Sequence, residues 1–238
     1  MAILEIKHVS KFFGGLAAVS DVSFQLEQGM IMGLIGPNGA GKTTLFNCIT
    51  GYYPPSRGEI MFNGRTINGL HPDVVCKRGM VRTWQKVRPL AKMSVVDNVM
   101  VGALCRTNSL KTAREMAMEQ VKVVRLEHRA DFPAGGLPIG ERKKLEVARV
   151  LATQPRLLLL DEVMGGLNPA ESEEIIQLIL DIRKLGITQM VIEHDMKAIM
   201  RISDRIVVLN SGEKLAEGSP EEIVSNQAVV DAYLGSEH

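Results

Sequence analysis

A glycine-rich segment from Gly36 to Thr43 carries the strongest chemical signal in this chain. It follows the apolar run Met30–Ile35 and precedes a segment with helical character, as in a strand–loop–helix unit. Glycines let the backbone curl so that several N–H groups point inward, and the helix N-terminus adds partial positive charge to that of Lys42. The sequence therefore predicts a loop that binds a polyphosphate. The residues predicted to surround it are Gly36, Pro37, Asn38, Gly39, Ala40, Gly41, Lys42, Thr43 and Thr44.

A pair of carboxylates, Asp161 and Glu162, follows the apolar run Leu157–Leu160. Open α/β sheets place ligands beyond the carboxyl ends of their strands, which is where this pair would lie. Asp161 suits Mg²⁺ directly or through a water, and Glu162 can orient or deprotonate an attacking water. Phosphoryl transfer is mostly positioning and charge neutralisation. These carboxylates, together with Lys42, the Thr43 hydroxyl and one Mg²⁺ ion, are therefore sufficient groups for catalysis of phosphoryl transfer.

Two further polar residues are predicted at the same site. Gln85 lies where the β-rich part of the sequence gives way to a helical part, and its side chain can contact Mg²⁺ or water. His194 follows the apolar run Met190–Ile192, so a parallel strand would present it at the ligand edge, within reach of a terminal phosphate. We therefore predict that Gln85 and His194 join Glu162 and Lys42 as catalytic residues.

Composition restricts the class of protein. The chain has 238 residues, 45% of them apolar, which is enough to bury the core of one large domain. Its net charge of +1 favours no nucleic-acid partner. The sequence has no apolar stretch near the ~20 residues that cross a bilayer and no signal-peptide core at its start. Its three widely spaced cysteines fit a reducing compartment and no metal site.

The chain pattern predicts an α/β fold with a helical insertion. Residues Leu4–Leu26 alternate like strands, and the helical spacing of apolar residues in Ile175–Leu185 indicates an amphipathic helix after Pro169. From about Val95 to Ala152 the pattern is helical, with helices near Asp97–Val99, Thr112–Leu126 and Glu141–Leu151. Further strands are expected at Gly58–Gly64, Leu157–Leu160, Thr188–Ile192 and Arg205–Glu213.

Taken in order, these motifs resemble those of the nucleotide-binding subunits of ABC transporters over nearly the whole chain. The most specific stretch is Leu137–Arg149, just before the acidic strand, and Phe13 matches the family's aromatic that stacks on adenine. The resemblance implies a P-loop NTPase core with a mixed sheet, an antiparallel N-terminal β portion and a helical subdomain. The core would comprise residues 1–84 and 152–238, and the helical subdomain residues 85–151. The signature-like residues are Leu137, Pro138, Ile139, Gly140 and Glu141.

The resemblance also implies a mechanism and partners. ATP would lie between the phosphate loop of one subunit and the signature of a second ATPase subunit, with Mg²⁺ held by Thr43, Gln85 and Asp161. Glu162 and a water would hydrolyse it, and the motion would drive membrane permease subunits. Such a subunit would lie peripherally on the cytoplasmic side of the cell membrane. An external solute-binding protein would be an indirect partner.

The signature departs from the common Leu-Ser-Gly-Gly-Gln. Pro138 replaces the serine, Ile139 the first glycine and Glu141 the glutamine. Losing one hydrogen bond to a charged phosphate costs roughly 1.5–3 kcal/mol, or about 10–150-fold, which weakens a shared site without abolishing it. Val163 and Asn168 stand where the family commonly has proline and aspartate.

These departures resemble the branched-chain amino-acid uptake group, as do the segments Phe13–Val19 and Arg82–Gln85. The tail, from Gly218–Ile223 to Ala232–Gly235, is similar to that group's C-terminal helix. The resemblance implies an importer for branched-chain or other hydrophobic amino acids. Because such importers pair two different ATPase subunits, it also implies that this chain is one of such a pair. The sequence leaves four alternatives open. They are a lipopolysaccharide-export ATPase, a soluble ABC ATPase without a transport role, a P-loop small-molecule kinase and a non-catalytic nucleotide-binding regulator.

Overall fold

The computed structural model describes residues 1–85 and 88–234. Its strands are β1 (Ala2–Phe13), β2 (Leu16–Glu27), β3 (Ile31–Ile35), β4 (Arg57–Phe62), β5 (Arg65–Thr66), β6 (Met80–Arg82), β7 (Leu157–Asp161), β8 (Thr188–Ile192), β9 (Arg205–Asn210) and β10 (Glu213–Gly218). Its helices are α1 (Lys42–Ile49), α2 (Pro72–Lys77), α3 (Val95–Ala103), α4 (Leu110–Val123), α5 (Ile139–Leu151), α6 (Pro169–Lys184), α7 (Met196–Ile202), α8 (Pro220–Val224) and α9 (Gln227–Leu234).

The central sheet has the strand order β10-β9-β3-β8-β7-β6, and all its pairings are parallel except β9–β10. It is therefore the predicted mixed sheet. Apolar side chains alternate between its faces, since Ile31 and Ile35 belong to one hydrophobic cluster and Met32 and Leu34 to the other. The register aligns Leu34 with Ile192, and Ile192 with Asp161. The loops after β3, β7 and β8 therefore leave the sheet at one edge.

A second, antiparallel sheet with the order β2-β1-β4-β5 confirms the expected N-terminal β portion. The β1–β2 hairpin turns at Gly14, whose φ of 57° is in the left-handed region. Phe13 pairs with Leu16 at the end of this hairpin, and the two line the same cavity as the loop after β3. This sheet therefore positions the aromatic residue that was predicted to stack on a base.

Helices α3, α4 and α5 confirm the helical pattern predicted between about Val95 and Ala152. Ser94 and Ser109 cap α3 and α4 by accepting hydrogen bonds from backbone N–H groups three residues on. The apolar faces of all three helices join the hydrophobic cluster that covers one face of the central sheet. The division into core residues 1–84 and 152–238 and helical residues 85–151 stays a prediction.

The structure also differs from the sequence-based expectations. The short elements α2, α7, β6 and β10 were not predicted, and the C-terminal segment forms two short helices, α8 and α9, where one was expected. Gly235, at the end of that segment, lies outside the described residues. The basic run Arg142–Lys144 lies in the N-terminal half of α5, and within it Lys143 is buried. Within the described ranges, none of the helices has the length and apolar character needed to span a bilayer.

Candidate active site

The loop between β3 and α1 has a backbone that only glycine tolerates at two positions. Gly36 has a φ of 148°, and a Cβ there would lie 2.1 Å from the Leu209 carbonyl oxygen. Gly41 has a φ of 98°, and its Cβ would lie 2.4 Å from the Ala18 carbonyl oxygen. Gly41 is also the N-cap of α1 and has no side chain to cap it, so the first N–H groups of the helix are free to bind an anion.

Lys42 is held inside this loop. Its side chain is 6% exposed, and Nζ donates hydrogen bonds to the carbonyl oxygens of Gly36 (2.6 Å) and Pro37 (2.9 Å). Burial lowers the pKa of Lys42, while the nearby carboxylates of Glu162 and Asp161 oppose that shift. The ammonium group is therefore fixed beside the free N–H groups, which concentrates positive potential where a polyphosphate would bind.

One cavity of about 610 Å³ brings most of the predicted site residues together. Its lining includes the aromatic ring of Phe13, which is 43% exposed and packs edge-to-face on Tyr53 with a centroid distance of 5.3 Å. Gln85, Glu162 and His194 lie in the same lining. The phosphate-loop residues in it are Asn38, Gly39, Ala40, Gly41, Lys42, Thr43 and Thr44.

Glu162 is the centre of the polar cluster. Its Oε2 accepts a hydrogen bond from Gln85 Nε2 at 2.5 Å, and its Oε1 lies 2.8 Å from His194 Nε2. Burial alone would raise the pKa of Glu162. The hydrogen bonds of His194 and Gln85, together with the charge of Lys42, outweigh it and hold the pKa below its usual value. Glu162 is therefore ionised at neutral pH and can accept a hydrogen bond from a water.

Asp161 is buried in an ion pair that the sequence analysis missed. Its Oδ2 accepts a hydrogen bond from Arg82 NH2 at 2.5 Å, and the Arg82 guanidinium lies 4.4 Å from the ring centroid of Trp84 and bonds Asn47 Oδ1. Burial raises the pKa of Asp161, and the Arg82 charge opposes that shift. The sequence feature that could have indicated this ion pair is Arg82 itself, a basic residue at the end of β6, the strand adjacent to β7.

The residues predicted to hold Mg²⁺ fit the ion. Asp161 Oδ1 is buried and has no hydrogen-bond partner among the described residues, so it is available for a cation or its water shell. Asp161, Thr43 and Gln85 line one cavity of about 570 Å³, next to that of the phosphate loop. Carboxylate, hydroxyl and amide oxygens are the hard donors that Mg²⁺ prefers. Their assignment as Mg²⁺ ligands stays a prediction.

The signature-like residues lie elsewhere on the chain. Pro138 is the N-cap of α5, Ile139 is 51% exposed, and Glu141 lies near His128 and Arg129. At Gly140 a Cβ would be 2.7 Å from Glu171 Oε1, so a larger residue there would have to displace the Glu171 side chain. None of Leu137–Glu141 is among the described residues that line the phosphate-loop cavity. The structure therefore separates this segment from the phosphate loop of the same chain.

Helix α5 nevertheless reaches the polar cluster around Glu162 through buried charged side chains that the sequence analysis missed. Lys143 Nζ donates to the Glu162 carbonyl oxygen at 2.7 Å, and Glu146 Oε1 accepts from the Trp84 N–H at 2.5 Å. Glu193 Oε1 accepts from the Met164 N–H at 2.7 Å. Helix α5 thus fixes the backbone of Glu162 and that of Trp84, next to Gln85. The only sequence signal was charge at positions that helical periodicity places on the buried face.

The free energy of unfolding should fall as the pH rises from about 4.5 to about 7, because buried Glu193 keeps its proton in the folded protein over this range. Burial raises the pKa of Glu193 from 4.5 to about 7, against the Met164 hydrogen bond and the Lys143 charge. Between these values the folded protein holds a proton that the unfolded chain has lost, so stability decreases with pH, by at most on the order of 3 kcal/mol. Urea denaturation of Glu193→Gln should give a flatter pH profile than wild type. Glu213→Gln, at an exposed position, is the control. If the pH profile of Glu193→Gln were as steep as that of this control, Glu193 would not be the cause of the pH dependence.

Comparisons with known proteins agree with this geometry. The sequence profile described as "ABC transporter" matches residues 19–165, and that described as "Branched-chain amino acid ATP-binding cassette transporter" matches residues 213–238. The high-affinity branched-chain amino acid transport ATP-binding protein BraF of Pseudomonas aeruginosa is 42% identical, in an alignment that covers 98% of this chain and 98% of that protein.

Two solved structures share the fold. An ATP-binding cassette of an ABC transporter in its ADP conformation superposes with a TM-score of 0.90, 31% identity and 99% coverage of both chains. A dimeric cassette in a post-hydrolysis state, bound to ADP and Pi, gives a TM-score of 0.82 and 25% identity, and covers 91% of this chain and 98% of that one. The chain therefore belongs to the ABC transporter family, as one of its ATP-binding, ATP-hydrolysing cassettes.

Proposed function

We propose that this chain is the ATP-hydrolysing motor subunit of a membrane importer for branched-chain amino acids. The observation that carries the motor role is the convergence of Glu162, Gln85 and His194 on the cavity of the phosphate loop. The solute class is inferred from the branched-chain amino acid transport role of the BraF relative and from the C-terminal match to a branched-chain amino acid cassette. The subunit would lie peripherally on the cytoplasmic face of the cell membrane.

The chain's own residues account for hydrolysis of ATP to ADP and phosphate. The N–H groups of α1 and the Lys42 ammonium bind the phosphate oxygens and stabilise their charge. Ionised Glu162 accepts a hydrogen bond from the attacking water, while His194 and Gln85 orient its carboxylate. Mg²⁺, when held near Thr43, Asp161 and Gln85, neutralises charge on the phosphates.

We infer that a second ATPase subunit completes the site. The signature segment lies outside its own chain's phosphate cavity and exposes Ile139, so it is available to a partner. The related dimeric cassette bound to ADP and Pi supports such pairing. Pro138 has neither N–H nor hydroxyl to offer a γ-phosphate, which suits a pair of unlike subunits. ATPase rates measured for the chain alone and with its partner subunit should differ per chain; equal rates would count against pairing of unlike subunits.

Replacing Phe13 with alanine should weaken ATP binding by roughly 5–150-fold, because stacking of a base on an aromatic ring contributes about 1–3 kcal/mol. Titration of ATP by calorimetry would measure the change, and Phe13→Trp should restore affinity. Phe12→Ala is the matched control, since Phe12 packs against Arg57 and is not among the lining residues described for this cavity. Unchanged ATP affinity in Phe13→Ala would exclude Phe13 from the adenine site.

Transport should be tested in cells that lack this subunit. Disruption should abolish high-affinity uptake of labelled leucine, isoleucine and valine, and wild-type protein should restore it. The subunit should also co-purify with hydrophobic permease subunits. Normal uptake with lipopolysaccharide retained in the inner membrane would favour the export ATPase, and normal uptake with no permease partner would favour a soluble ABC ATPase.

A further inference from the structure

We propose that this protein has a second anion site, which binds a ligand with two or more phosphate groups, at the end of the central sheet opposite the ATP site. A cavity of about 550 Å³ is lined there by five cationic side chains, Arg65, Lys77, Arg78, Arg106 and Arg156. Gly79 and Arg156 directly precede β6 and β7, so this cavity lies at the amino ends of these strands. Asp161 and the phosphate-loop cavity lie at the carboxyl ends, so the two sites are separate.

The positive charge of this cavity is largely uncompensated. No carboxylate is among the lining residues in the described part of the chain. Arg65 and Arg156 make neither a hydrogen bond nor an ion pair through their side chains with any residue that the structure describes. Arg78 makes one long hydrogen bond, 3.4 Å, to the Thr66 carbonyl oxygen. Only Lys77 pairs with an acid, Asp73, at 3.3 Å. A bound anion would relieve the repulsion among these cations.

Arg106 forms a fixed part of the cavity wall. Its Nε donates to the Thr153 carbonyl oxygen at 2.5 Å, and its two terminal nitrogens donate to the carbonyl oxygens of Lys77 (2.8 Å) and Cys76 (3.1 Å). It therefore joins the end of α2 to the segments after α3 and α5. The guanidinium keeps its charge while its donors are satisfied by carbonyls. The free guanidinium groups of Arg65 and Arg156 are left to bind the ligand directly.

The chemistry of these groups selects phosphate. Guanidinium is planar and matches phosphate oxygens with paired donors, and each charge-assisted hydrogen bond raises affinity by about 10–150-fold. The cations come from the β4–β5 hairpin, α2 and the segments before α4 and β7, so an anion with a single phosphate would reach only some of them. The cavity volume falls in the range of small-molecule sites, about 300–1,000 Å³. A soluble polyphosphorylated metabolite and an exposed phospholipid headgroup share this chemistry.

Inorganic triphosphate is a suitable probe, and calorimetry should count two sites on the wild-type protein. Lys42→Ala should remove the phosphate-loop site, and Arg65→Glu with Arg156→Glu should remove the other. The control pair Lys111→Glu with Lys122→Glu makes the same charge change on exposed positions of α4 and should keep both sites. If the Glu variants fail to fold by circular dichroism, Arg65→Gln with Arg156→Gln should still weaken the second site at least about 10-fold.

Two further measurements identify the source of the ligand. Vesicles containing cardiolipin, a phospholipid with two phosphate groups, that compete with triphosphate for the second site would assign it to a lipid headgroup; no competition would assign it to a soluble phosphate compound. Either result supports the site. A single triphosphate site on the wild type, or two sites in the Arg65→Glu, Arg156→Glu variant, would overturn it. Binding of a polyglutamate peptide to this cavity as tightly as triphosphate would also overturn the proposal, because the positive charge would then serve to bind an acidic protein surface.

Discussion

Replacing Glu162 with glutamine is expected to lower ATP turnover by about 10²–10⁴-fold, the range that a positioned acid–base group contributes. Glutamine has nearly the same size, and its single amide oxygen can keep one of the two hydrogen bonds that Gln85 and His194 make with the carboxylate. It lacks the negative charge that draws a proton from the attacking water. ATP binding should persist, because Lys42 and the N–H groups of α1 are unchanged. Phosphate release and retention of labelled ATP on filters measure the two properties separately.

Glu119→Gln is the matched control for this variant, since Glu119 is an exposed acid on α4. It should hydrolyse ATP at the wild-type rate. A Glu162→Gln protein that turned over ATP as fast as this control would remove Glu162 from catalysis. If the wild type itself released no phosphate, the chain would be a nucleotide-binding regulator. Transfer of the phosphoryl group to a second small molecule would instead identify a kinase.

The phosphate loop could be predicted from the sequence because the loop depends on residues that are close together in the chain. Gly36 and Gly41 occupy backbone conformations that only glycine tolerates. The apolar runs before Glu162 and before His194 form β7 and β8 of the central sheet. Parallel strands place their carboxyl ends at one edge, so the convergence of Glu162 and His194 follows from the strand pattern alone. The hydrogen bond between them confirms that they lie together.

The buried charges could not be predicted in this way. Lys143 and Glu146 lie in a run of charged residues on α5, and charged residues are almost never fully buried unless they are paired. Their partners are backbone groups of Glu162 and Trp84, far away in sequence. The periodicity of one sequence does not indicate which residues distant in the chain come into contact. The burial of Arg82 could not be predicted for the same reason, because its ion pair with Asp161 forms only when β6 lies beside β7.

Replacing Arg82 with methionine is expected to lower the free energy of unfolding by about 3–5 kcal/mol, a large share of the ~5–15 kcal/mol of a typical domain. Methionine fills much of the volume but leaves the Asp161 carboxylate, 1% exposed, without its counter-charge. Urea denaturation at pH 7 measures the loss. Arg183→Met is the control, because its pair with Asp204 at 2.9 Å is partly exposed and should contribute at most about 1 kcal/mol.

A second substitution separates the buried charge from simple loss of packing. In Arg82→Met with Asp161→Asn the unpaired carboxylate is gone, so the double variant should be more stable than Arg82→Met alone. Two single losses that simply add would contradict the ion pair as the cause. The same comparison bears on function, since Arg82 donates to Oδ2 and leaves Oδ1 of Asp161 free. The ion pair thus orients the Asp161 carboxylate and leaves one of its oxygens available for the predicted metal. Arg82 therefore has both a structural and a positioning role.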